Sequence, residues 1–203
     1  MAKAEISFDD FARSVIDTLE AAEIEYLIGG SVAVTAWGEA RTTRDFDVVI
    51  NLPGDRIRRL SQELAARGML VPPEIILDLL LQPEGDLPIN AIHLHSSYKA
   101  EFFLLRYGDE YRRLSLTRRR LVNLGPTLGE VYVHSPEDLI LNKVRYFGLS
   151  QQTKHVRDIA SMIVLIGDDL DWAYIEEWAQ KLNLTAVWYE LLGEVDKLLD
   201  KQP

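Results

Sequence analysis

Two aspartates, Asp45 and Asp47, have the spacing that points most directly to chemistry. They lie in the segment DFDVVI, whose β-branched and aromatic residues predict a strand. Side chains two residues apart on a strand share a face, so the two carboxylates should project together. Like charges this close repel unless a cation lies between them, and carboxylate oxygens are ligands that Mg²⁺ prefers. The pattern therefore predicts a metal site, with a solvated strand edge as the alternative.

A glycine turn comes before these acids. Gly29 and Gly30 directly follow the predicted strand EYLI, and Ser31 begins a helical pattern. Backbone N–H groups at such a turn can approach a phosphate closely, and the serine hydroxyl adds a donor. Thr43 could add another donor, although its preference for strands explains it equally well. The order of strand, glycine turn, helix and strand would return the acids to the turn, where a triphosphate could bind with metal ions.

The elements around these residues predict an α/β fold with a mixed sheet flanked by helices. Helical periodicity covers residues 7–23, 55–67 and 73–81, and the segment INAIHLHSSYKAEFFLLR favours a two-stranded hairpin. From Ser135 the pattern is almost wholly helical. We therefore expect a core over residues 1–134 and a C-terminal helical region over residues 135–203, packed on the core.

Composition excludes several classes of function. The 203-residue chain has 22 basic and 32 acidic residues, a net charge of −10, which argues against generic DNA binding. It contains no Cys, which excludes disulfides, zinc–thiolate sites and thiol nucleophiles. No apolar run reaches the roughly 18 residues of a membrane span, and the N-terminal segment does not resemble a secretory leader. We expect a cytoplasmic protein that is not bound to a membrane.

The segments LIGGSVAV and TTRDFDVVI together resemble the DNA polymerase beta-like nucleotidyltransferase superfamily. Its motif is a strand, Gly-Gly or Gly-Ser, a helix and an Asp-x-Asp strand, with a third carboxylate on a later strand. The matching later strand is SSYKAEFFLL, which carries Glu101 where many relatives have Asp. The resemblance implies that Asp45, Asp47 and Glu101 hold two Mg²⁺ ions, with Mn²⁺ as an alternative. Glu101 could instead be an exposed partner of Lys99.

A narrower resemblance covers most of the chain. HSPEDLILNKVRYF followed by TKHVRDIASMI is similar to a bacterial group of uncharacterised nucleotidyltransferases and to the toxins of abortive-infection type IV toxin–antitoxin systems. The resemblance implies that Lys143 contacts phosphate and that Asp158 orients it or acts as a base. A salt bridge between two helices explains Lys143 and Asp158 equally well.

These resemblances imply a nucleotidyltransferase that binds a nucleoside triphosphate. The acceptor would be a hydroxyl of a tRNA, a protein or a small molecule, and a cognate antitoxin or other partner chain would be a further partner. The alternatives are a non-catalytic nucleotide-binding module of the same fold, which the Glu at position 101 favours, and a purely structural protein. His93 and His95 favour a polar strand face, and the arginine-rich stretch 112–120 favours a solvated surface.

Overall fold

The computed structural model describes residues 6–82 and 86–200, and this part of the chain forms two compact units. The first unit contains the described residues up to Gly29 together with Thr42–Val133. The second contains Gly30–Arg41 and the described residues from His134 onwards. The predicted division into residues 1–134 and 135–203 stays a prediction. Residues 30–41 belong to the second compact unit, so the chain enters that unit twice.

A mixed sheet, six-stranded within the described residues, forms the centre of the first unit. Its strands are β1 (Glu25–Ile28), β2 (Asp45–Asn51), β3 (Ile89–Ile92), β4 (Lys99–Leu104), β5 (Arg120–Asn123) and β6 (Glu130–Val133). Their spatial order is β3-β4-β2-β1-β6-β5. The neighbours β2 and β4 run parallel, as do β1 and β6, and the remaining neighbours are antiparallel. The predicted mixed α/β architecture is confirmed.

The helices of the described chain carry the labels α1 to α9. They are α1 (Phe8–Ala21), α2 (Gly30–Trp37), α3 (Ile57–Ala66), α4 (Pro73–Leu81), α5 (Glu110–Arg118), α6 (Pro136–Ser150), α7 (Thr153–Ile166), α8 (Trp172–Lys181) and α9 (Thr185–Leu199). Helices α1, α3, α4 and α5 belong to the first unit, and the others belong to the second. The sequence analysis missed α5, because its polar residues show no apolar stripe.

The two faces of the sheet differ in character. One face is core, where Phe46 and Phe102 are fully buried and the ring of Phe8 meets that of Phe46 edge-on at 6.4 Å. The opposite face carries a smaller apolar cluster of Leu27, Val49, Leu105 and Leu116. Leu116 comes from α5, so this helix covers the Val49 end of that face. Residues Asp45 and Asp47 occupy the start of β2, at the other end of the strand.

The second unit is helical, and local sequence signals explain where its helices begin. Ser135 caps α6 by accepting a hydrogen bond from the Asp138 backbone N–H at 3.2 Å, and Pro136 fits the first turn. The indole N–H of Trp37 on α2 donates to the carbonyl oxygen of His134 at 2.9 Å. This bond ties α2 to the start of α6. Across the described chain, every helix is too short or too polar to cross a bilayer.

Candidate active site

The three predicted metal ligands lie on two adjacent strands. In the parallel pairing of β2 with β4, Asp47 is directly opposite Glu101 and Asp45 is directly opposite Lys99. Because side chains alternate along a strand, all four of these side chains project from the same face of the sheet. Pairing across strands thus brings Glu101 to the two aspartates, from which it is more than fifty residues away in the sequence. This face of the sheet therefore carries all three predicted metal ligands.

The ammonium of Lys99 contacts two of these acids. Its Nζ atom lies 2.6 Å from Glu101 Oε1 and 3.4 Å from Asp45 Oδ1. The hydrogen bond to Glu101 raises the pKa of Lys99, and the charges of Glu101 and Asp45 add to that effect. The ion pair between Glu101 and Lys99, which the sequence offered as an alternative to metal binding, is therefore present. The same ammonium also contacts Asp45.

The acids are open to solvent to different degrees. The side chain of Asp45 is 54% exposed, whereas that of Glu101 is 21% exposed. Phe46 and Ala100, their neighbours in sequence, are fully buried on the opposite face. The buried residues fix the backbone of both strands, so the carboxylates are held on rigid elements while their ends stay accessible to small ligands.

Local backbone contacts position the start of β2. The N–H of Gly29 donates to the carbonyl oxygen of Asp47 at 2.8 Å, which places the end of β1 beside the second aspartate. The Thr43 hydroxyl donates to the Asp45 carbonyl oxygen at 3.1 Å and accepts from the Asp45 N–H at 3.2 Å. Thr43 therefore shapes the entry to the strand, and its proposed role as a donor to nucleotide stays a prediction.

Gly30 and Ser31, which are predicted to bind phosphate together with Gly29, belong to the second unit. Gly30 has a φ of 57°, the left-handed conformation that glycine adopts without strain, and it is the first residue of α2. Ser31 follows in the first turn and is buried. The geometry explains why glycine is suited to position 30, and phosphate binding by Gly29, Gly30 and Ser31 stays a prediction.

Lys143 and Asp158 form a buried ion pair that also includes Arg41. The Lys143 Nζ atom lies 2.6 Å from Asp158 Oδ2, with both side chains at least 95% buried. Arg41 Nε donates to Asp158 Oδ1 at 2.9 Å, and the Arg41 side chain is 34% exposed. Burial would raise the pKa of Asp158, but the two cations outweigh it and hold that pKa below its ordinary value.

The structure thus contains the salt bridge between two helices that was one of the two explanations for Lys143 and Asp158. A role in phosphate contact or base catalysis stays a prediction. The sequence analysis missed Arg41, because it lies in a loop between α2 and β2 and no local pattern links it to Asp158, 117 residues later.

His155 is a second residue that the sequence analysis did not find. It is buried on α7 and stacks on Tyr146 of α6 with ring centroids 6.4 Å apart. Its Nδ1 atom is buried without a hydrogen-bond partner among the described residues. Burial, followed by the charges of Lys143 and Lys154, lowers the pKa of His155 to about 4. His155 is therefore neutral at physiological pH and forms part of the packing between α6 and α7.

The residues set aside on sequence grounds make structural contacts. Arg112, in the arginine-rich stretch, binds Asp86 at 2.7 Å and donates to the Leu104 carbonyl oxygen at 2.9 Å. Arg119 binds Glu25 at 2.8 Å and covers the ring of Tyr132 at 4.6 Å. The His93 Nδ1 atom lies 2.9 Å from the Ser96 hydroxyl.

The acids of β2 and β4 fit a divalent metal in their chemistry. Asp45, Asp47 and Glu101 offer hard carboxylate oxygens from one face, the donor set that suits Mg²⁺ and Mn²⁺. Their side chains are not gathered around one point: no three acidic or histidine side chains of the described chain form a ready metal-binding group. Lys99 draws Asp45 and Glu101 towards its ammonium, so metal binding requires these side chains to turn.

Comparisons with known proteins bear on the fold. No protein-family model and no curated protein matches this sequence. The solution structure of the antibiotic-resistance factor ANT(2'')-Ia is similar at a TM-score of 0.56 and 17% identity, covering 95% of this chain and 96% of that one. The crystal structure of ANT(2'')-Ia in complex with adenylyl-2''-tobramycin gives a TM-score of 0.57 at 17% identity, covering 90% and 97%.

A third solved structure also has a similar fold. An antigenic nucleotidyltransferase-like protein from Paracoccidioides brasiliensis is similar at a TM-score of 0.52 and 18% identity, covering 89% of this chain and 91% of that one. At this level of identity the similarity identifies the fold alone. The expected fold is confirmed: this chain shares the mixed α/β fold of these nucleotidyltransferase structures.

Proposed function

We propose that this protein is a nucleotidyltransferase that transfers a nucleoside monophosphate from a nucleoside triphosphate to a hydroxyl group. One observation carries the proposal. Within this fold, the parallel pairing of β2 with β4 sets Asp47 opposite Glu101 and puts Asp45 on the same face. Three carboxylates on one rigid face suit a reaction in which charge on a triphosphate must be neutralised and oriented.

The proposed reaction is a single displacement at the α-phosphorus. The acceptor oxygen forms a new P–O bond, the bond between the α-phosphorus and the bridging oxygen breaks, and pyrophosphate leaves with that electron pair. The proton of the acceptor hydroxyl passes to solvent or to a carboxylate. No oxidant or reductant is needed, so catalysis rests on positioning and electrostatics.

Asp45, Asp47 and Glu101 are the residues that would hold the divalent ions, for which two Mg²⁺ are proposed. When bound, such ions supply positive charge to the triphosphate and lower the pKa of the acceptor hydroxyl. The carboxylates themselves orient the reacting groups, because the buried strands beneath them resist movement. We also propose that Gly30 and Ser31 donate hydrogen bonds to phosphate and that Lys143 and Asp158 support nucleotide binding.

The charge of the chain bears on the acceptor. A net charge of −10 disfavours a long polyanion such as tRNA and favours a neutral or cationic acceptor. The ANT(2'')-Ia crystal structure contains adenylyl-2''-tobramycin. An aminoglycoside hydroxyl is therefore a reasonable first acceptor to test, followed by protein and tRNA hydroxyls.

The test is label transfer from each α-³²P-labelled nucleoside triphosphate in the presence of Mg²⁺. Acceptors would be supplied separately as an aminoglycoside panel, cellular protein and cellular RNA. The Asp45→Asn/Asp47→Asn variant removes two charges with little change of shape. Its matched control is Asp168→Asn/Asp169→Asn, which removes two exposed acids from a turn in the second unit.

We expect transfer by the wild type and the control, and loss of at least about 10²-fold in the Asp45/Asp47 variant. Transfer that survives in that variant would contradict the assignment of these acids. Transfer absent from all proteins, with all nucleotides and acceptors, would contradict the proposed activity.

A second candidate function follows from Lys99. Because its ammonium already binds Asp45 and Glu101, Lys99 offsets part of the negative charge of this face and could let nucleotide bind without turnover. In that case the protein would be a binding module that acts through a partner chain, such as the cognate antitoxin of a toxin–antitoxin pair. Nucleotide binding without label transfer, lost in Asp45→Asn/Asp47→Asn, would favour this function over the first.

A further inference from the structure

We propose that Lys99 is a built-in counter-ion that sets the affinity of this face for divalent cations. The inference rests on the proposed function, because it concerns the same carboxylates. It goes further because Lys99 is not one of the predicted metal ligands and is here proposed to compete with the metal ion for their carboxylates. Its basis is the contact of one ammonium group with two of the three acids that would bind metal.

The sheet fixes Lys99 at this place. Lys99 is directly opposite Asp45 across the parallel pair, and it precedes Glu101 by two residues on β4. Both relations put its side chain on the face of the acids. Its buried neighbour Ala100 anchors the backbone from the other face, so the lysine cannot turn to the core without a shift of register.

The charges on this face predict competition. Lys99 adds one positive charge beside Asp45 and Glu101, so its removal makes this face more negative by one unit. A divalent cation at this face competes with Lys99 for these two carboxylates, and it must also approach a positive charge. Both effects weaken binding of the free metal ion.

The lysine can move when a better ligand arrives. Its four-carbon stem is flexible and its ammonium is a compact donor, so it can leave Glu101 and bind a phosphate oxygen instead. Nucleotide and metal should therefore bind with positive coupling, since the triphosphate receives the ammonium that the metal displaces. By linkage, each ligand then raises the affinity for the other by the same factor.

The experiment is a titration with Mn²⁺ alone, followed by the electron paramagnetic resonance signal of the free ion. Lys99→Met removes the charge while keeping an unbranched side chain of similar length. The matched control is Lys197→Met, which removes an exposed ammonium that pairs with Glu194 at 2.6 Å. Lys99→Arg keeps the charge, and circular dichroism confirms that each variant is folded.

We expect Lys99→Met to bind Mn²⁺ at least about fivefold more tightly than the wild type. That change in affinity corresponds to the free energy of one to two exposed ion pairs. Lys197→Met and Lys99→Arg should stay within about twofold of the wild type, because neither changes the charge at this face. When the titration is repeated with a non-hydrolysable nucleoside triphosphate, the difference in Mn²⁺ affinity between Lys99→Met and the wild type should become smaller.

The outcomes separate this inference from the proposed function. Equal or weaker Mn²⁺ binding by Lys99→Met, with binding lost in Asp45→Asn/Asp47→Asn, overturns the role of Lys99 and leaves the metal site intact. Absence of Mn²⁺ binding in every protein, with and without nucleotide, overturns both. Tighter binding in Lys99→Met without label transfer in any protein supports the role of Lys99 and favours the binding module.

Discussion

Asp158 is a single carboxylate that satisfies two cations, Lys143 and Arg41, in the second unit. Lys143 has almost no access to water, so the ion pair with Asp158 replaces part of the solvation that its charge loses on burial. A buried pair of this kind adds little net stability over an apolar pair, but removing one partner leaves an uncompensated charge. The stability of α6 against α7 therefore depends on both members being present.

The first prediction concerns this pair. Asp158→Asn should lower the free energy of unfolding by about 3 kcal/mol, because the buried ammonium of Lys143 would lose its ion pair with the Asp158 carboxylate. Urea denaturation measures the change, and Asp169→Asn, an exposed acid, is the control, with an expected effect within about 0.5 kcal/mol. The double variant Lys143→Met/Asp158→Leu should recover much of the loss; if it does not, the ion pair is not the cause.

His155 gives a second prediction at the residue scale. Its pKa in the folded protein is about 4, below the ordinary value of 6.5, so the unfolded chain binds a proton first as pH falls. The free energy of unfolding should therefore decrease as pH falls from about 6.5 towards 4, and this contribution is fully present above 6.5. His155→Phe keeps a ring against Tyr146 and removes the titrating group. The free energy of unfolding of this variant should therefore depend less on pH between about 4 and 6.5, as measured by thermal unfolding.

The control for this profile is His95→Gln, which changes an exposed histidine of the first unit. It should leave the pH dependence of stability as in the wild type. A profile for His155→Phe that matches the wild type between pH 4 and 6.5 would show that other groups cause the dependence.

At the scale of elements, α5 covers one end of the sheet face that carries the acids. Its Leu116 packs with Val49 and Leu27 on the face from which Asp45 and Asp47 also project. The helix has few buried residues of its own and begins at an Asp109 cap, whose carboxylate accepts the Arg112 N–H at 2.9 Å. Its position therefore depends on its cap, on a small apolar contact and on the bonds of Arg112 to Asp86 and to the Leu104 carbonyl oxygen.

The third prediction tests that cap. Asp109→Ala should lower the free energy of unfolding by about 1 kcal/mol, the usual effect of losing a helix N-cap. Asp109→Asn should stay close to the wild type, since Asn caps equally well. Denaturant unfolding measures both changes, and hydrogen exchange at the α5 amides should increase in the alanine variant alone. Equal stability of all three proteins would contradict the role of Asp109.

At the scale of the whole molecule, charge is the property with the clearest consequence. The sequence carries ten more acidic than basic residues, and two arginines of the basic stretch, Arg112 and Arg119, pair internally with Asp86 and Glu25. These ion pairs reduce the positive charge that the stretch can offer to a phosphate backbone. The molecule should therefore repel nucleic-acid polymers.

The fourth prediction follows from this charge. The protein should bind a labelled random-sequence DNA duplex with a Kd weaker than about 10⁻⁴ M at physiological salt, at or beyond the weak end of ordinary non-specific binding. Fluorescence anisotropy measures the affinity, and Arg112→Gln should leave it unchanged. Micromolar binding that weakens steeply with added salt would contradict the prediction.

Much of the fold could be predicted from the sequence because the signals are local. The alternation of DFDVVI, the glycine turn at residues 29 and 30 and the Ser135 cap each act over a few residues, so strands and helices are found close to where they were expected. Asp45 and Asp47 were placed on one face by strand geometry alone. Helix α5 could not be predicted in this way, because it carries no apolar stripe and is held by its cap and by tertiary contacts.

Only the tertiary structure decided which distant residues meet. The placement of Glu101 opposite Asp47 depends on β4 pairing parallel to β2, and pairing between strands far apart in sequence leaves no local pattern. The contacts of Arg41 with Asp158, and of Lys99 with both Asp45 and Glu101, arise in the same way. The sequence determined the chemical groups and their faces, whereas long-range pairing determined which charges neutralise one another.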